Sequence, residues 1–131
     1  FVENMYGVTD SSQMGALPTD RFIAAWALNN TLIARRLAAH AADAPRLADA
    51  PVVAGGPETP PPAAWPSEGA VRVAIPRDFP SLLNDNPSAA AAYRAHTTKA
   101  FTHYFALGYH VSSFHPSSIG DGHYLLTAPV P

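Results

Sequence analysis

The sequence contains no cysteine, which excludes a disulfide framework, a thiolate zinc site and cysteine nucleophile chemistry together. Charge is scarce as well: 8 Lys+Arg stand against 10 Asp+Glu, and charged residues make up 14% of the chain. A formal net charge of −2 offers no basic field to a phosphate backbone, so nucleic acid is not an expected partner. Long apolar runs are missing too. The nearly uncharged stretch from Ala50 to Ser67 is broken repeatedly by proline, whereas a spanning helix needs about 20 apolar residues in succession, so no membrane span is expected. There is no G-x-S-x-G nucleophile elbow, and neither Gly55-Gly56 nor Gly120-Asp121-Gly122 opens a helix whose amides could cradle an anion. The cysteine-free composition is compatible with a reducing, cytoplasmic setting.

What is present suffices for a core. The chain has 131 residues, 47% of them hydrophobic, and a domain of this size buries roughly two-thirds of the surface its unfolded chain exposes. Phe1, Val2, Met5 and Tyr6 fall on one side of a helical turn that Gly7 would stop, so the sequence reads as starting inside an element, as a fragment would. The segment Phe22 to Leu28 is apolar throughout and predicts a strand covered on both faces. Asn29 and Asn30 are candidate caps for a helix over about Thr31–Ala42. From Pro45 to Pro66 the chain carries half of its 14 prolines; residues 45–69 therefore read as an extended surface excursion outside regular structure.

The C-terminal half is more regular. Ala70–Ile75 predicts a strand stopped by Pro76, and Arg77–Leu83 a tight helical turn or loop. The longest helix is expected from Pro87 to Leu107, with Asn86 as cap and Gly108 as the left-handed residue past its end. Its apolar stripe is Tyr93, His96, Ala100, Tyr104 and Leu107, widened by Phe101 and Phe105. Tyr109–Phe114 and His123–Thr127 predict two antiparallel strands joined by a short turn-rich loop. The expected class is α/β, a mixed α+β layer of four strands and two principal helices, without internal repeats.

Four constellations could carry chemistry. His110, His115 and His123 with Asp121 would need to converge from separate elements to hold a metal, and isolated histidines are more often packed or exposed side chains, so no metal is expected. Ser112 or Ser113, His115 and Asp121 form a triad on paper, yet polar residues crowded around a turn need no catalytic explanation. Arg94 lies on the flank of the apolar stripe between Phe101 and Phe105, where a permanent cation must snorkel or meet an anion. Asp20-Arg21 is either an ion pair at a strand entry or an anchor for substrate.

The order Met5-Tyr6-Gly7, Gly15-Ala16-Leu17-Pro18-Thr19-Asp20-Arg21, Trp26, Val73-Ala74-Ile75-Pro76-Arg77-Asp78-Phe79, Tyr104-Phe105-Ala106-Leu107-Gly108-Tyr109 and Tyr124-Leu125-Leu126 resembles the C-terminal part of predicted acyltransferases of the GNAT superfamily. The resemblance covers nearly the whole chain outside the proline-rich stretch. It implies a GNAT-like fold and transfer of an acyl group, acetyl or succinyl, from acyl-CoA to an amine. In that superfamily a strand amide stabilises the oxyanion and a glycine-bearing loop at a helix start binds the CoA pyrophosphate. The pattern of that loop, Arg or Gln followed by x-x-Gly-x-Gly/Ala, does not occur here. The resemblance therefore implies that an upstream half of the same protein holds the coenzyme, while this chain completes the sheet, walls the substrate side and offers a surface for a homo-oligomer.

Tyr104, four residues before Gly108, matches the position from which a phenol in this superfamily protonates the departing thiolate. The resemblance makes Tyr104 the candidate catalytic acid; Asp20, Arg21 and Arg94, singled out by their own positions, are the candidate substrate-binding residues. The helical stripe offers a competing explanation of Tyr104 as core. A non-enzymatic binding or assembly domain that keeps the scaffold is the alternative function.

Overall fold

The structure is a computed structural model that describes residues 1–7, 17–25, 31, 47–55, 65–67 and 69–129. It is a mixed α/β architecture. Four strands, β1 (Val52–Ala54), β2 (Ala70–Ile75), β3 (His110–His115) and β4 (Gly122–Thr127), form one sheet in the order β1-β2-β4-β3. Between β2 and β3 lie helices α1 (Phe79–Asp85) and α2 (Pro87–Ala106). The β1/β2 pair is parallel, and β4 runs antiparallel to both β2 and β3.

Local chemistry sets the helix boundaries. The Asp78 carboxylate accepts from the Ser81 amide at 3.0 Å and from its hydroxyl at 2.7 Å, capping α1 and holding the Asp78 pKa below the usual carboxylate value. Asn86 serves both helices. Its backbone N–H closes α1 on Leu82 O at 2.8 Å, while its side-chain oxygen accepts from Ala89 N at 3.0 Å to start α2. Pro87, whose missing donor costs nothing there, fills the first turn. At the far end Gly108 adopts φ +84°, Gly108 N–H donates to Phe105 O at 3.0 Å, and Tyr109 N–H reaches back to Tyr104 O at 3.0 Å. These are the two bonds of a Schellman motif, and its accompanying apolar contact is the Tyr104–Tyr109 ring pair, 4.9 Å between centroids.

The core lies between α2 and one face of the sheet. Ala90, Tyr93, Thr97, Ala100, Phe101 and Tyr104 recur at spacings of three and four along α2 and are buried. Val53, Val71, Val73 and Leu126 meet this stripe from β1, β2 and β4. Beside it, Phe1, Phe22, Phe101 and Tyr124 form an aromatic group, with Phe22 4.8 Å from Phe101 and 5.3 Å from Tyr124 between ring centroids.

Several expectations require correction. Residues 3–6 form a turn rather than a helix end, and Val2 makes an isolated antiparallel bridge with Arg21. Phe22–Ala25 belongs to no strand; Phe22 is 40% and Ile23 65% exposed, so this segment is not covered on both faces. Residues 26–28, like residues 32–42 of the expected second helix, lie outside the described residues, and Thr31 is helical. The proline-rich stretch is not wholly a surface excursion, because it contains a 3-10 turn (Leu47–Asp49) and β1, whose Val53 and Ala54 are buried. Leu107 is 51% exposed because the helix has already ended at Ala106 and the chain is turning away from the stripe. The longer helix and the three later strands match their expected boundaries within one residue. No helix among the described residues is long and apolar enough to cross a membrane.

Candidate functional site

The N-terminal segment and residues 19–21 are knotted together by hydrogen bonds. Val2 and Arg21 exchange backbone bonds at 2.8 and 2.9 Å, and Met5 N–H donates to Thr19 O at 3.0 Å. Thr19, 2% exposed, uses its hydroxyl twice: it accepts from Tyr6 N–H at 3.0 Å and donates to Gly7 O at 3.1 Å. Asp20 fastens the knot to α2. One carboxylate oxygen accepts from Asn4 N–H at 2.9 Å and the other from the Thr98 hydroxyl. A second tie runs from the Thr102 hydroxyl to Glu3 Oε1 at 2.7 Å.

The three candidate substrate-binding residues meet here. Arg21 donates from Nη1 to the Asp20 carbonyl at 2.8 Å and lies over the Tyr6 ring, 5.4 Å from its centroid. Arg94 lies over the Phe79 ring at 5.2 Å. Burial lowers the Arg94 pKa, the Asp20 charge raises it in compensation, and the Arg21 charge lowers it again. Asp20 and Arg21 thus both lie near enough to Arg94 for their charges to act on its guanidinium. What the sequence could not show is that both Asp20 oxygens are already engaged within the chain.

Tyr104 is fully buried. Its hydroxyl donates to Pro66 O at 2.8 Å, its ring packs edge-on to Trp65 at 5.7 Å, and burial, then the Tyr109 charge, pushes its pKa up to about 12. Trp65 in turn stacks on His103, with centroids 5.0 Å apart and planes 27° from parallel. Trp65 and His103 also line an open groove of about 350 Å³, together with Glu3, Thr98, Lys99 and Thr102. Trp65 thus touches the Tyr104 ring and also lines a concave surface that carries a cation, a carboxylate, an imidazole and two hydroxyls. Glu3, Trp65 and Lys99 were not singled out from sequence, and no local pattern marks them: they converge from three segments.

The paper triad is assembled only in part. Ser113 Oγ lies 2.8 Å from His115 Nε2, but the Asp121 carboxylate accepts from the Tyr93 hydroxyl at 2.5 Å. Among the described residues no three of His, Asp and Glu converge as a metal-binding group. Compared with family models, curated proteins and solved structures, the chain matches none.

Proposed function

We propose that this chain forms the C-terminal part of a GNAT-type N-acyltransferase that passes an acetyl or succinyl group from acyl-CoA to an amine. The observation that carries the reading is convergence. Met5-Tyr6-Gly7 and Thr19-Asp20-Arg21, two of the segments that resemble the superfamily, are hydrogen-bonded to each other and docked on α2 through Thr98. Two more, Val73-Ala74-Ile75 and Tyr124-Leu125-Leu126, lie on neighbouring central strands, and Tyr104 to Tyr109 closes α2 beside them.

In this reading the amine nitrogen attacks the thioester carbonyl, the C–N bond forms as the C–S bond breaks, and the thiolate takes a proton. Tyr104 can supply that proton only when its hydroxyl leaves Pro66 O, which requires Trp65 and Pro66 to move away from α2. A phenol with a pKa near 12 retains its proton at neutral pH and is available as an acid, not as a base. The groove lined by Trp65 would then receive the amine, with the Glu3 carboxylate taking the proton that the nitrogen gives up to attack as a neutral amine.

A second reading, a non-enzymatic binding or assembly domain, is favoured by the internal engagement of Asp20 and Tyr104. Calorimetry with acetyl-CoA and succinyl-CoA, followed by thiol release in the presence of an amine, separates the two. The full-length protein carrying this chain should bind one of them and release thiol, and Tyr104→Phe should lower kcat with little change in KM for acyl-CoA. Failure of the full-length protein to bind either acyl-CoA would leave the binding-domain reading. Binding of acyl-CoA by the 131-residue chain alone would overturn the division of labour proposed here.

A further inference from the structure

The sheet face turned away from α2 poses a separate question. Register places Arg72, Leu125 and Ser113 in one row across β2, β4 and β3, and Ala74, His123 and His115 in the next. Residues paired directly across antiparallel strands share a face, and neighbouring strands lie about 4.8 Å apart. Arg72, Ser113, His115 and His123 therefore occupy one patch, and each is partly exposed. The hydrogen-bond contact between Ser113 Oγ and His115 Nε2, 2.8 Å, confirms that these two side chains point the same way.

The patch is rich in donors and poor in acceptors. Arg72 stands on an interior strand, and its Nε–H is buried without a hydrogen-bond partner among the described residues. A permanent cation in such a place gains from a complementary anion, and the planar guanidinium fork matches phosphate geometry. Asp121, the carboxylate that acts on His123, is drawn aside by the Tyr93 hydroxyl at 2.5 Å. Burial lowers the His123 pKa, the Arg72 charge adds to this, Asp121 opposes it, and His115 lowers it further. Arg72 is thus the permanent cation of a face whose nearest carboxylate, Asp121, is already bonded to Tyr93.

We infer that Arg72, Ser113, His115 and His123 form a phosphate-binding site on the sheet face turned away from α2. Arg72 supplies the permanent charge and a buried N–H, Ser113 a hydroxyl donor, and the two imidazoles N–H donors. The site stands apart from the Trp65 groove and does not depend on the acyltransferase reading.

The test is titration with inorganic phosphate at pH 7, with ionic strength held constant by chloride, following the histidine Cε1–H resonances. Saturable shifts should be confined to His115 and His123, while His96 and His103 on α2 stay in place, and the His123 titration midpoint should move upward. Arg72→Met should weaken binding at least about tenfold, the scale of a lost charge-assisted hydrogen bond, and Arg72→Lys should recover part of it. Arg72→Gln, which keeps a polar head, provides a second variant should the methionine protein fail to fold by circular dichroism. A parallel titration with glycerol 3-phosphate identifies the source: tighter binding marks a phosphate ester as ligand, weaker binding the free ion. No saturable shift, or unchanged affinity in a folded Arg72 variant, overturns the site.

Discussion

Asp20 has two carboxylate oxygens, and each holds a different part of the chain: Asn4 N–H on the N-terminal turn and the Thr98 hydroxyl on α2. At 7% exposure, water does not readily replace either bond. Asp20→Ala is expected to cost about 2–4 kcal/mol in urea denaturation, since it leaves two donors behind, whereas Thr98→Val should cost about 1 kcal/mol. Measured together they should be non-additive, because the second substitution removes a bond the first has already broken. Additive losses would show that Asp20 acts elsewhere. Tyr104 gives a pH-dependent prediction. Its pKa rises from the ordinary phenol value of 10.0 to about 12 on folding, so the native state keeps a proton that the unfolded chain releases. The resulting stabilisation is complete below pH 10 and is lost as pH rises toward 12, by roughly 3 kcal/mol in all. Tyr93, raised in the same direction by burial and by its bond to Asp121, adds to the alkaline loss. Tyr104→Phe should flatten the decline measured by circular dichroism between pH 10 and 12, and an unchanged slope would refute the assignment. The sequence showed Tyr104 as an aromatic in a helical stripe. It could not show Pro66 O as the acceptor, because that partner comes from 38 residues away.

At the scale of elements, legibility followed locality. Both ends of α2 are written in adjacent residues: Asn86 bonds a residue three positions on, and Gly108 completes a motif spanning Tyr104 to Tyr109. Asn86→Ala should cost about 1 kcal/mol in helix capping, with a further loss because the same residue lies between two helices. Gly108→Ala should cost a similar amount, since alanine at φ +84° is strained and its Cβ would come within 3.4 Å of Pro129 Cγ. Thermal melts of the two variants check both values, and melting points equal to that of the parent would contradict the cap assignments. The Phe22 to Leu28 segment shows the opposite case. An apolar run fixes hydrophobicity but not a hydrogen-bonding partner, and Phe22 found its place among Phe1, Phe101 and Tyr124 rather than in a ladder.

For the molecule as a whole, the largest departure from the sequence reading lies where composition was most emphatic. Proline content describes what a stretch cannot do at each proline; it does not describe the residues between them. Val52–Ala54 sits between Pro51 and Pro57 and still adds a parallel strand to β2, with Pro51 O accepting from Arg72 N–H at 2.9 Å. A proline is compatible with such an edge because its carbonyl remains free to accept. The candidate groove was illegible for a related reason, since Glu3, Trp65 and Lys99 meet only after the N-terminal knot and the segment before β2 have both docked on α2. Whether the proline-rich segment is part of the fold can be settled by two neighbouring valines. Val53 is 1% exposed and packs in the core cluster, while Val52 is 40% exposed on the other side of the same strand. Val53→Ala removes buried methyl groups and should cost about 2 kcal/mol; Val52→Ala should stay within about 0.5 kcal/mol. Urea denaturation should show a lower midpoint for Val53→Ala with an unchanged slope, because β1 unfolds with the sheet rather than ahead of it. Equal, negligible effects at both positions would return the segment to the surface and leave β2 as the edge of the described sheet.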